Sequence, residues 1–203
     1  MVVQGNGASL DPVLTGATGT LERARAVLLG SHRCPAILSG TPLTKEIADD
    51  MTGQQLTVRT AISIAAAPEQ VWKVLIDLAS YRQWHPSMEL LGRSDGDGRP
   101  LAEGSVLHLR TNRGTGLELD FEVTVTEVIE ASTLAWQGGD PEVFFGHHAW
   151  TLTSDGQGTR VVNEETFTGA MAEAVFAEHR HTLETMYAAG DAALKAAAEN
   201  PGT

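Results

Sequence analysis

From Leu56 onward the chain shows a regular exchange of apolar and polar positions. In "LTVRTAISIA", Leu56, Val58, Ile62 and Ile64 alternate with polar residues, which is the period of a half-buried strand. "APEQVWKVLIDLASYRQW" then changes period. Val71, Trp72, Leu75 and Leu78 fall at helical spacing, and Pro68 suits a first helical position. His85-Pro86 ends this stretch, because a residue before proline is pushed out of the helical region. "SMELLGRS", "SVLHLRTN", "LELDFEVTVTEVI", "STLAWQG", "VFFGHHAWTLTS" and "TRVVNEETF" read as six further strands separated by Gly, Asp and Asn turn signals. In the longest, Leu117, Leu119, Phe121, Val123 and Val125 share one face, and Glu118, Asp120, Glu122, Thr124 and Thr126 the other. Such alternation predicts an antiparallel sheet wet on one side. Toward the carboxy end, Val175, Phe176, His179, Leu183, Met186, Tyr187, Gly190 and Leu194 recur every three or four residues and predict one long amphipathic helix.

The predicted order is strand, helix pair, six strands, long helix. A sheet with a single apolar face must cover it, and only the long carboxy-terminal helix is large enough. If the sheet curls around that helix, a cavity can remain between them. Residues 1–55 differ in texture: "GNGASLDPVLTGATGT" is small and turn-rich, and "LERARAVLLG" makes at most a short helix ended by Gly30. This gives two regions, an amino-terminal extension over 1–55, partly disordered or with a short helix, and a folded domain over 56–200. Met51 precedes the first strand and is an alternative translation start.

Charge narrows the partners. Against 14 Lys and Arg stand 26 Asp and Glu, a formal net charge of -12, so nucleic acid and acidic membrane surfaces are repelled. No apolar run is long enough for membrane insertion. Cys34 is the only cysteine, which excludes an intrachain disulfide and a Cys-rich metal centre and fits a cytoplasmic protein. The expected assembly is a monomer or homodimer. Neither a phosphate loop, a nucleophile elbow nor a zinc-protease motif is present.

The order of elements and the residues at their joints resemble one superfamily. "APEQVWKVLIDLASYRQWHP", "EGSVLHLR", "FFGHHAWTL" and "GTRVVNEETFTG" are similar to the START-like superfamily (SRPBCC, the birch-pollen-allergen-like helix-grip fold), in its bacterial polyketide cyclase/dehydrase branch. The resemblance spans about Leu56 to Asn200. It implies an α+β helix-grip fold: a curved antiparallel sheet of about seven strands wrapped around a long C-terminal helix, with two short helices after the first strand. It also implies a deep apolar cavity under that helix. Members include lipid and hormone binders, aromatic polyketide cyclases, resistance proteins and co-chaperones, so the fold leaves the function open.

Within this frame the paired histidines of "FFGHHAW" can be placed. A two-residue Gly156-Gln157 turn pairs Asp155 with Gly158. Counting back puts Leu152 opposite Val161, Trp150 opposite Asn163 and His148 opposite Glu165. Trp150, Leu152, Val161 and Phe167 mark the inward face, so His148 and Glu165 face the interior while His147 and Glu164 face solvent. An imidazole and a carboxylate opposed on an apolar face have three readings: a structural polar pair, a ligand-orienting pair, or a general acid/base dyad.

Trp84, Phe121, Trp136, Phe144, Trp150, Phe167 and Phe176 either line a pocket for a flat ring system or form ordinary core. Tyr81, Arg82 and His85 fall where the second helix meets the sheet, at the expected rim. His179 completes the candidate ligand set. In aromatase/cyclase relatives a pocket Tyr, Arg and Trp are implied to polarise the ketone chain; here Arg110 and His108 alternate outward, which departs from that pattern. No cofactor and no metal site are expected, since His148, Glu165 and His179 lack the spacing typical of a metal centre.

Three functions compete. The leading one is binding of a small hydrophobic, aromatic or polyketide-like molecule, with apolar burial at ~25 cal/mol/Å² supplying affinity. The alternative is a metal-free cyclase/dehydratase acting on a ketone, with His148 as base and Glu165 setting its tautomer. A protein-interaction role would need an exposed apolar patch, which the polar outer face lacks.

Overall fold

A computed structural model describes residues 56–96, 98–114 and 118–200. The extension over 1–55, Met51 and Leu117 lie outside the described residues.

The strand-helix-strand reading holds. β1 (Leu56–Ile64) leads into α1 (Pro68–Ile76), a 3-10 turn (Leu78–Ser80) and α2 (Tyr81–Trp84). Pro68 opens α1, where its missing N–H costs nothing, and α1 buries Val71, Trp72 and Leu75. α2 stops at Trp84, and His85, ahead of Pro86, is extended at φ -75°, ψ 130°.

Six strands follow: β2 (Glu89–Arg93), β3 (Val106–Thr111), β4 (Leu119–Ile129), β5 (Thr133–Asp140), β6 (Phe144–Ser154) and β7 (Thr159–Thr168). α3 (Ala172–Glu199) closes the domain and runs through Gly190 unbroken. All seven strands form one antiparallel sheet in the order β1-β7-β6-β5-β4-β3-β2. The first strand therefore pairs with the last, and β1 and β2 are the edges.

The β6–β7 hairpin has the expected register. Asp155 N–H donates to Gly158 O at 3.2 Å around Gly156, which sits at φ +86°. Leu152 faces Val161, Trp150 faces Asn163 and His148 faces Glu165. One expectation for β4 needs correcting. A bulge between Val125 and Glu127 breaks the alternation, and Thr126 is half-buried, with its Oγ1 sealed off and without a hydrogen-bond partner. The rest of the outer face is a charged ladder: Arg110 holds Asp120 through two bonds of 2.6 and 2.8 Å, and His108 sits beside Ser94 and Glu122.

The core has two parts. A larger cluster joins α1, Tyr81, Leu194 and Ala198 to the inward residues of β3–β7, among them Leu109, Val125, Trp136, Trp150 and Val161. A smaller one gathers Val58, Phe167, Ala172 and Phe176, with Leu56, Phe144, Leu183 and Tyr187 against it. The backbone of α3 packs chiefly along β1, and less on α1 and β7. Over β5 and β6, large side chains bridge the space between helix and sheet. Among the described residues no helix is long and apolar enough to cross a membrane.

Candidate functional site

A polar belt lies where the two apolar clusters meet. Its centre is His148, 5% exposed, held between two rings: Trp150 at 3.8 Å and Tyr187 of α3 at 5.1 Å, each tilted 27°. Trp136 meets both His148 and Trp150 edge-on. The imidazole is therefore part of an aromatic stack bridging sheet to helix.

His148 does not bond to the carboxylate opposite it. Its Nε2–H donates to Asn163 Oδ1 at 2.6 Å, and Asn163 Nδ2 donates to Asp191 Oδ1 of α3 at 2.8 Å. The Thr60 hydroxyl also bonds Asp191. Strands β1, β6 and β7 and the helix thus share one chain of hydrogen bonds. The sequence placed Asn163 at inward parity, and a polar residue on an apolar face was the available signal; nothing in sequence pointed to Asp191, whose neighbours are set by how α3 docks.

Electrostatics separates the groups. Burial, with neighbouring His85 and His147 adding to it, lowers His148 to about 3 against the opposing bond to Asn163, so it is uncharged at neutral pH. Burial also raises Asp191 against the pull of its hydrogen bonds. Glu165 is half-buried and has no side-chain partner among the described residues; burial pushes its carboxyl up to about 8. That carboxyl lies over Gly146: a Cβ there would stand 2.5 Å from Oε1. The missing side chain of Gly146 makes room for the acid, a requirement sequence reasoning did not detect.

His85 is a second fixed imidazole. Its Nδ1 accepts the backbone N–H groups of Ser87 at 3.2 Å and Met88 at 2.9 Å, which places the ring hydrogen on Nε2. Arg113 donates to the His85 carbonyl at 2.8 Å and to the Arg82 carbonyl at 2.6 Å. The ring stacks on Tyr81 at 8° and its Nε2 points at bare Gly190. Burial, then the Arg113 charge, lowers it to about 4. Thr126 Oγ1 is the one side-chain polar atom among the described residues both sealed off and unpartnered. The Glu165 oxygens, also unpartnered, are not sealed off completely.

The remaining candidates spread out. Tyr81 is fully buried and its hydroxyl donates to Leu75 O at 2.8 Å, so it ties α1 rather than standing at a rim; burial and Asp77 hold that hydroxyl far above its ordinary range. Trp84 is half-buried, its Nε1–H on Ser80 Oγ. Phe144 stacks on Phe167 at 5.4 Å, and Phe167 meets Phe176, over which the Arg180 guanidinium lies. His179 is on the open flank of α3, 3.9 Å from Glu178. His147 faces water, as does Glu164, which pairs with Arg59. No group of three His, Cys, Asp or Glu suited to a metal occurs among the described residues.

Two hollows among the described residues are open surface depressions. One, about 350 Å³, is lined by Leu91, His108, Leu109, Asp120, Phe121 and Glu122. The other, about 270 Å³, lies beside Ser63, Gln157 and Lys195. Neither reaches His148 or Glu165. The space expected between sheet and helix is occupied by the rings of Trp136, Trp150 and Tyr187.

Comparison with known proteins bears on the fold. The sequence profile described as polyketide cyclase/dehydrase and lipid transport matches residues 55–199. Among curated proteins none matches the chain in sequence. Similar solved structures include hypothetical protein jhp0584 from Helicobacter pylori, at 16% identity and TM-score 0.61 over 81% of this chain and 99% of that one. Zhui aromatase/cyclase from Streptomyces sp. R1128 is 17% identical, TM-score 0.54, over 70% of this chain and 93% of its own. Ara h 8.0201 is 12% identical, TM-score 0.52, over 70% and 96%.

Proposed function

The chain belongs to the polyketide cyclase/dehydrase and lipid transport family, with its helix-grip fold, and from that premise we propose that residues 56–200 bind a small hydrophobic, aromatic or polyketide-like molecule between the sheet and α3. The observation that carries this reading is Glu165: a half-buried carboxyl with no side-chain partner among the described residues, lying over Gly146 and beside Phe167. A fold optimised only for stability would pair such a group or replace it with an apolar one. Because α3 is seated on β1 and α1 rather than on β5 and β6, the rings between helix and sheet can part for a guest without breaking backbone pairing.

A second reading, a reaction on a ketone in the same place, is favoured by one feature. Glu165 changes protonation near neutral pH, as a general acid or base should. His148, held uncharged down to about 3, is poorly matched to the base role. Its tautomer is set by Asn163 and not by Glu165.

The test is titration with the uncharged fluorophore N-phenyl-1-naphthylamine, followed by native mass spectrometry of protein purified from its own host. Binding at one site, weakened several-fold by Tyr187→Ala and unchanged by Leu91→Asp, supports the interior. The opposite pattern assigns the ligand to the outer groove and refutes the proposal.

A further inference from the structure

Among the described residues no counter-charge stands beside Glu165, and this carries an inference about ligand class. The basic residues of its own strand and of neighbouring β1 turn away from it: Arg160 is exposed, and Arg59 pairs with Glu164 on the outer face at 3.3 Å. The titratable groups on this side of the interior are His148 on β6, Asp191 and Tyr187 on α3, and His85 after α2. Both histidines stay uncharged at neutral pH, and Asp191 already has Asn163 and Thr60. Among the described residues Glu165 has neither a hydrogen-bond nor a charge partner. Beside it lies Phe167, whose ring edge stands 3.8 Å from where a Gly146 Cβ would be and which stacks on Phe144.

We propose that this site takes an organic cation, a protonated amine on an apolar or aromatic body, with its ammonium seated on the Glu165 carboxylate over Gly146. The inference rests on the reading of this interior as a ligand site and names the chemistry of its occupant. An ammonium supplies the missing counter-charge to the acid, while the apolar body packs against Phe167. The formal charge of -12 favours a cationic guest at long range. Protons balance simply: at pH 6.5 the empty site carries a neutral carboxyl, the amine arrives with its own proton, and binding expels the carboxyl proton into the buffer.

The experiment is calorimetric titration of the full chain at pH 6.5 with 4-phenylbutylamine and with uncharged 4-phenylbutanol, each in phosphate and in imidazole buffer. The expected result is at least tenfold tighter binding of the amine, with close to one proton released per molecule bound. In Glu165→Gln the preference and the proton release disappear while the alcohol still binds. Gly146→Ala, which presses a methyl group onto the carboxyl, weakens the amine selectively. Equal affinity of amine and alcohol with no proton release overturns the cation proposal and leaves the apolar site standing. If neither compound binds the native protein, the site reading falls with it.

Discussion

Replacing Glu165 by glutamine exchanges a carboxyl for an amide of the same shape and removes one proton equilibrium from the interior. In the unfolded chain this carboxyl titrates at its ordinary 4.5; in the folded protein burial moves it to about 8. Between those values the native state holds a proton that the unfolded state has shed. Its contribution is therefore complete below 4.5 and is lost as pH rises through 8. The slope is about 1.4 kcal/mol per pH unit, and the whole span about 5 kcal/mol at the limit. Glu165 keeps part of its surface open, so about 2–3 kcal/mol is the expected size after screening.

Urea unfolding of native and Glu165→Gln protein from pH 5 to 9 at fixed ionic strength measures this directly. The difference in stability should be smallest at pH 5, shift steadily in favour of the variant as pH rises, and level off above pH 8. Asp191, His148 and His85 titrate in both proteins and cancel in the difference. Any unsatisfied hydrogen bond of the new amide adds an offset that does not vary with pH. Parallel stability curves across the range would refute the reasoning, because Glu165 would then ionise in the folded state as it does in water.

Other outcomes follow from the same geometry. Asn163→Ala leaves the His148 Nε2–H and the Asp191 carboxyl without their shared partner and should cost about 2–4 kcal/mol in chemical denaturation. Arg113→Ala removes the charge that depresses His85, so the ring should titrate above about 4 in an NMR pH series, with a stability loss of about 1–2 kcal/mol from the two freed carbonyls. His148 lies below its ordinary 6.5, so its contribution is present above 6.5 and lost toward pH 3; His148→Gln should flatten that acid limb in urea unfolding. Gly139→Ala forces a side chain at φ +101° against the Phe144 carbonyl and should lower the melting temperature by several degrees, about 2–4 °C for each kcal/mol.

The sequence made the fold legible wherever a period and a turn acted together. Alternation gave the strands, the break in period at Pro68 and the stop at His85-Pro86 bounded the helix pair, and a two-residue turn sufficed to place His148 opposite Glu165. It did not give their chemistry. Opposition fixes Cα positions, whereas side-chain partners depend on direction: His148 leans to Asn163 while Glu165 leans over Gly146. Asp191 stayed hidden, and His85 was placed only at an expected rim, because their bonds arise from how α3 and the loop after α2 dock. The bulge after Val125 was invisible because the residues around it still alternate.

The pairing of β1 with β7 has a consequence for how the protein is made. Residues such as Thr57 and Thr166, in contact through their hydroxyls, are 109 positions apart, and the closing helix docks mainly on that same first strand. A growing chain on the ribosome cannot complete this sheet until nearly all of it has emerged. For most of its synthesis β1 is an unpaired apolar edge. Folding governed by such distant pairings is slow, so the apolar positions of β1 wait without their final cover until α3 arrives.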